Sequence, residues 1–140
     1  MIVKTITFKD FNDDTVTDDF YFNLTRSEML MYDASIPGGL AGAMEYIRAT
    51  RDGKKLIGMF EDLIKRSYGI KSPDGRRFIK SDEVYQEFAQ SNAYDELIIE
   101  FITDPNKAGE FFHGLCDAIR DSDDRGADGE HKTLQVVTSE

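Results

Sequence analysis

The chain has 140 residues and a mass of 15.9 kDa, which suits one ordinary domain and leaves little room for two independent cores. At 40% hydrophobic and 31% charged residues it holds enough apolar material to fold, which excludes wholesale disorder. Seventeen Lys and Arg against twenty-seven Asp and Glu leave a net charge of −10 and a pI near 4.6, a field that repels phosphate backbones and anionic lipid and sets aside nucleic acid and membrane as partners.

In chain order, residues 2–8 alternate with period two, with Ile2, Ile6 and Phe8 on one side and Val3, Thr5 and Thr7 on the other, which predicts a strand. Asp10 to Thr15 supply turn residues, and Val16, Phe20, Phe22 and Leu24 alternate with polar positions in a second strand. An N-terminal β-hairpin follows. Thr25-Arg26-Ser27-Glu28 has the spacing of a capping box and starts a short helix that runs to about Ala34, before Ile36-Pro37-Gly38-Gly39 breaks it. Leu40, Ala43, Met44 and Ile47 resume helical spacing as far as Arg51-Asp52-Gly53. Leu56, Ile57, Phe60, Leu63, Ile64 and Tyr68 then form the strongest amphipathic stripe up to that point.

Ser72-Pro73-Asp74-Gly75 has turn chemistry between Ile70 and Phe78-Ile79, so residues 68–80 read as a second small hairpin. Ser81 with Asp82-Glu83 caps a helix of about two turns carrying Val84, Tyr85 and Phe88. Ser91-Asn92 opens another helix, with Tyr94, Leu97, Ile98, Phe101 and Ile102 in register. Asp104-Pro105 starts the last, with Ala108, Phe111, Phe112, Leu115 and Ile119. The expected fold class is α+β, mainly α, with the N-terminal hairpin packed on a bundle of about five to six short helices. Residues 1–120 form the domain. Residues 121–140 are expected to be a mobile acidic tail, because Asp121 to Glu130 hold no apolar side chain larger than Ala.

Chemistry-bearing constellations are few. Asp121-x-Asp123 followed by Gly126 imitates the start of a calcium loop, but Arg125 and Lys132 stand where oxygen ligands belong, so a solvated tail is the better reading. His113 and Cys116 are three apart on a helix, with no further pair to complete a tetrahedral metal set. The single cysteine offers no intramolecular disulfide, and the start Met1-Ile2-Val3-Lys4-Thr5 leads into no long apolar run, so the expected compartment is a reducing cytoplasm. Adjacent carboxylates such as Glu61-Asp62 and Asp95-Glu96 diverge by about 100° on a helix and read as solvated faces. Gly38-Gly39-Leu40-Ala41-Gly42 lacks the Lys-Ser/Thr of a phosphate loop and reads as a helix break. No enzyme is expected, and no cofactor. Arg76, Arg77 and Lys80, interleaved with Phe78 and Ile79, make the one compact basic cluster, suited to an acidic partner or to offsetting acidic surroundings.

Taken in order, Lys4 to Phe8, Asp18-Asp19-Phe20-Tyr21-Phe22-Asn23-Leu24-Thr25, Ser67-Tyr68-Gly69 and Asp74-Gly75-Arg76-Arg77-Phe78-Ile79-Lys80-Ser81 resemble small tail assembly chaperones of long-tailed, siphovirus-like bacteriophages. Ala93 to Leu97, Thr103-Asp104 and Phe111-Phe112-x-Gly114 continue the resemblance, which covers roughly residues 2 to 116. It implies a protein without catalysis that holds the aggregation-prone tape-measure protein in the host bacterial cytoplasm and is absent from the mature virion. It also implies, as a second partner, a longer form of the same chaperone made by programmed frameshift, and it leaves room for a homo-oligomer. The residues offered for partner binding are Arg76, Arg77, Phe78 and Lys80 on the hairpin, with Leu56, Phe60, Phe111 and Phe112 on the helices. Two other functions stay open here: an acidic DNA mimic that blocks a host factor, and a structural tail subunit.

Overall fold

The structure is a computed structural model and describes residues 1–115. The expectations for Cys116, Ile119 and the segment 121–140, the calcium-like spacing included, lie outside the described residues. The order of elements is β1 (Ile2–Lys9), β2 (Thr15–Phe22), α1 (Arg26–Ser35), α2 (Gly39–Thr50), α3 (Gly53–Ser67), β3 (Tyr68–Lys71), β4 (Phe78–Ile79), α4 (Asp82–Ala89) and α5 (Asn92–Thr103). A sixth helix, α6, covers residues 105–115. The fold is α+β with helix in excess of strand, as expected.

Local chemistry sets most of these boundaries. The Thr25 hydroxyl accepts from the Glu28 amide at 3.1 Å while the Glu28 carboxylate accepts from the Thr25 amide at 2.9 Å, so both halves of the capping box are present. The break before α2 is made by Gly38 and Gly39, both at positive φ, where a Cβ is costly. Gly38 has no side chain to cap α2. Asp33 does so from α1, its carboxylate accepting from the Leu40 amide at 2.8 Å.

The two hairpins are joined. β1 pairs with β2 antiparallel from Ile2↔Phe22 to Lys9↔Thr15, and β2 then pairs with β3 through Tyr21↔Gly69 and Phe22↔Tyr68, giving one antiparallel sheet in the order β1-β2-β3-β4. Tyr68 is corrected here. The helical stripe had included it, but α3 ends at Ser67, whose hydroxyl donates to the Leu63 carbonyl at 2.6 Å, and Tyr68 starts β3. Its ring stacks on Phe88 at 4.5 Å between centroids, a gain that helical spacing cannot register. Leu24, assigned to the second strand, lies two residues past its end and is buried all the same.

One face of the sheet is covered. Phe22, fully buried, meets Tyr68, Phe88 and Phe111 at 5.2–5.9 Å, and Phe101 continues the cluster to Phe60 and Phe111. Ile6, Phe8 and Phe20 dock the N-terminal hairpin on this core, because a two-stranded hairpin alone is marginal in water. Gly69 is where β3 passes closest to β4: a Cβ there would stand 2.6 Å from the Phe78 ring and 2.7 Å from the Ile79 carbonyl. Gly69→Ala is therefore expected to lower stability by about 1–3 kcal/mol, read as a fall in the denaturant midpoint.

Candidate functional site

The basic cluster splits into two kinds of residue. Arg76 and Arg77 are exposed on the β3–β4 turn and make no ion pair among the described residues. The turn beneath them is rigid: Gly75 is at positive φ, the buried Ser72 hydroxyl donates to Asp74 at 2.6 Å and accepts from the Arg77 amide at 3.0 Å. That hydroxyl, followed by the Arg76 amide, holds the Asp74 carboxyl below its ordinary pKa. Phe78 is half-buried between the strands.

Lys80 is occupied with structure. Its ammonium reaches Glu28 at 2.8 Å and donates to the Arg66 carbonyl at 2.9 Å, tying the hairpin to the start of α1 and the end of α3. Partial burial raises the Glu28 carboxyl, but the hydrogen bond from Lys80, the Thr25 amide and the Lys80 charge together outweigh it and leave the pKa lowered. A depressed carboxylate stabilises the fold above its unfolded pKa, and that contribution is lost as pH falls through the folded value. Lys80→Met is expected to cost about 1 kcal/mol at neutral pH, since both groups are partly solvated, and the gap to wild type is expected to narrow below about pH 4. Urea titrations at the two pH values check both.

The second assembly is apolar. Leu56, Ile57 and Phe60 on α3 face Ile98 and Ile102 on α5 across a groove of about 380 Å³ whose far wall is α6. No charged side chain lines it. The groove stays open because its walls are small where α6 and α3 approach, at Gly53, Ala108 and Gly109, and a Cβ built on Gly53 or Gly109 meets nothing within 4 Å. Ile102 is 52% and Ile57 36% exposed, large side chains left in water on a protein that buries most of its others. A shallower groove shares Met44, Phe60 and Gly109 and adds Leu40 and Phe112, beside Glu45, Arg48 and His113.

Of the sequence-selected residues, Leu56 lines the apolar groove and Phe112 the neighbouring one, while Phe60, only 8% exposed and packed on Phe101, is a core ring that forms the floor shared by both. Phe111 lines neither. It is 3% exposed and turned into the core against Phe22 and Phe101, because adjacent helical residues point about 100° apart and only one of the pair can face inward. Arg76 and Arg77, on the turn between β3 and β4, line neither groove. Sequence reasoning placed Ile57, Ile98 and Ile102 on helical stripes without assigning them to a site. The signal available was the i, i+4 pair Ile98/Ile102, which reports a shared face and not whether that face is covered.

Among the described residues no group of three His, Cys, Asp or Glu converges to hold a metal, and no described helix is long and apolar enough to cross a membrane. Glu61 and Asp62 diverge as expected: Tyr94 donates to Glu61 at 3.4 Å, while Asp62 pairs with Arg66 at 3.1 Å. Burial, then the Asp62 charge, push Tyr32 up to about 12, and burial with Tyr85 and Glu61 raise Tyr94. Both phenols stay protonated at neutral pH.

No curated protein and no solved structure matches the chain. The model of one family, described as phage tail assembly chaperone, matches residues 1–122. That span takes in both hairpins, the six helices of the described residues and every residue of the apolar groove, and on this match the chain belongs to the phage tail assembly chaperone family.

Proposed function

We propose that the protein binds the tape-measure protein of a long-tailed phage and keeps it soluble while the tail is built, without catalysis. The site of binding is the groove between α3, α5 and α6, with Leu56, Ile57 and Ile102 receiving the apolar face of a client helix over the buried Phe60 ring and Phe112 extending the contact. The observation that carries this reading is an uncharged apolar groove on a chain of net charge −10 from a tail assembly chaperone family. The groove supplies affinity for an amphipathic helix, and the surrounding negative charge keeps the complex from associating further.

In this reading the protein acts in the cytoplasm of the host bacterium and leaves before the particle is complete. Arg76 and Arg77, exposed on the β3–β4 turn, take a secondary role in orienting an acidic stretch of the client or of a frameshifted longer form of the chaperone. Co-expression with the tape-measure protein tests the central claim by the amount of client in the soluble fraction. A clear increase with the chaperone, and co-purification at low salt, are expected. Equal client solubility with and without it, with no co-purification, overturns the reading. Mass spectrometry of purified particles separates a chaperone, absent from them, from a structural tail subunit.

A further inference from the structure

β1 forms one edge of the sheet, and the register shows which residues that edge presents. The Asp10 amide donates to the Asp14 carbonyl at 2.9 Å, so even-numbered residues of β1 turn their backbone groups toward β2. On the other side of β2, the Asn23 amide donates to Ser67 at 2.8 Å, which places odd-numbered residues of β2 toward β3 and agrees with that phase. Odd-numbered residues of β1 therefore aim their amides and carbonyls away from the sheet. The Lys9 carbonyl is taken by the Asn92 side chain at 2.8 Å, which closes that end. Among the described residues nothing hydrogen-bonds the outward backbone groups of Val3, Thr5 and Thr7.

This edge is guarded only in part. The strand is eight residues long, contains no Pro and runs in unbroken register with β2; its guards are Lys4, turned inward onto Glu100, and Asn92 at the Lys9 end, and neither occupies the outward backbone groups from Val3 to Thr7. A groove of about 370 Å³ follows it, between Thr5 and Thr7 on β1 and Glu96, Ile99 and Thr103 on α5. Val3 is 50% exposed on the strand and Ile99 46% on the helix. Ile98 and Ile102 line the groove assigned to the client and Ile99 lines this one, so α5 gives apolar side chains to both.

We propose that this edge pairs antiparallel with the same edge of a second copy, about a two-fold axis at Thr5, making one continuous sheet across the dimer. The surface is self-complementary. With Thr5 opposite Thr5 and Val3 opposite Thr7, each of the three residues donates and accepts once through its backbone. Lys4 of β1 is already paired with Glu100 of its own chain, which leaves Lys9 for a partner; the groove wall carries Glu96 and, where α5 ends, Asp104, with Lys107 the one cation on it. α5 runs against β1, since Asn92 meets Lys9 and Glu100 meets Lys4, so antiparallel pairing carries Lys9 of each copy toward Asp104 of the other. The two Ile99 side chains approach across the same axis.

Sedimentation equilibrium of the full chain at physiological ionic strength and about 100 μM tests this at an affinity ordinary for a modest interface. A dimer is expected for the wild type and a monomer for Thr5→Pro and for Ile99→Glu, with unchanged far-UV circular dichroism. Pro at position 5 removes an outward amide and spares the β1–β2 ladder. Amide exchange gives a readout that survives a failure of Thr5→Pro to fold: the Val3, Thr5 and Thr7 amides slow by about tenfold on going from dilute to concentrated wild type, and do not slow in Ile99→Glu. A wild type that stays monomeric, a dimer retained in Ile99→Glu, or exchange at these amides that ignores concentration overturns the proposal. Capture of an extended strand from another protein by a monomeric chain is one such result.

Discussion

Gly109→Leu is expected to raise the stability of the chaperone while abolishing its hold on the client, an opposition of signs that few other mechanisms produce. A Cβ at Gly109 meets nothing within 4 Å, so the larger side chain enters the groove and not a neighbouring backbone. Within α6 the exchange removes the conformational cost of glycine, worth about 0.5–1 kcal/mol, and adds apolar contact with Phe60 or Ile102. Filling the groove takes away the volume a client side chain needs. Soluble tape-measure protein in co-expression should fall to the level seen without chaperone, while the denaturant midpoint of the variant rises. Ile57→Glu with Ile102→Glu approaches the same site by charge: both positions are exposed on helices, where Glu is well tolerated, yet a carboxylate set against an apolar client helix is left unpaired. Loss of client binding is expected with little loss of fold. Client solubility that survives both designs removes the groove from the mechanism.

The largest effect on the fold itself is expected at Phe22. Its ring is fully buried, its backbone pairs with both Ile2 and Tyr68, and it touches rings from β3, α4 and α6. Phe22→Ala leaves a cavity where sheet and helices meet, and a loss of about 3–5 kcal/mol is expected, a large share of the stability of a domain this size. The melting temperature should drop by about 10 °C or more. Phe112→Ala is the matched control: the ring is half-buried at the rim of the shallower groove, and a loss of about 1 kcal/mol is expected. Thermal unfolding of the two variants, side by side, separates the ring that holds the core from the ring assigned to the surface. Equal losses contradict the division of labour between the aromatic positions.

Much of this protein was determined by its sequence alone, and the legible parts share one property: the interactions that form them are local. Alternation over residues 2–8 made β1, the Thr25 and Glu28 spacing made the cap of α1, Gly38-Gly39 broke the chain before α2, and Ser72 to Gly75 turned the second hairpin, each through contacts a few residues apart. Leu56 and Phe60 were legible as one face of α3 for the same reason. Only the tertiary structure decided what covers each face. Whether Tyr68 ends a helix or begins a strand depends on Phe22 and Phe88, which are distant in the chain. Lys80 is tied to Glu28 on α1, which took it out of the basic cluster that composition suggested and left Arg76 and Arg77 exposed. Phe111 and Phe112 are chemically alike and adjacent, and the packing of α6 on Phe22 and Phe101 chose which one is buried. Ile57 and Ile102 carry the same periodicity as core residues, and they line a groove because Ala108 and Gly109 on the facing helix are too small to fill the space between them. Periodicity reports that a side chain has a preferred side, whereas burial is set by the volume that other segments bring to it, and that volume is a property of the folded chain.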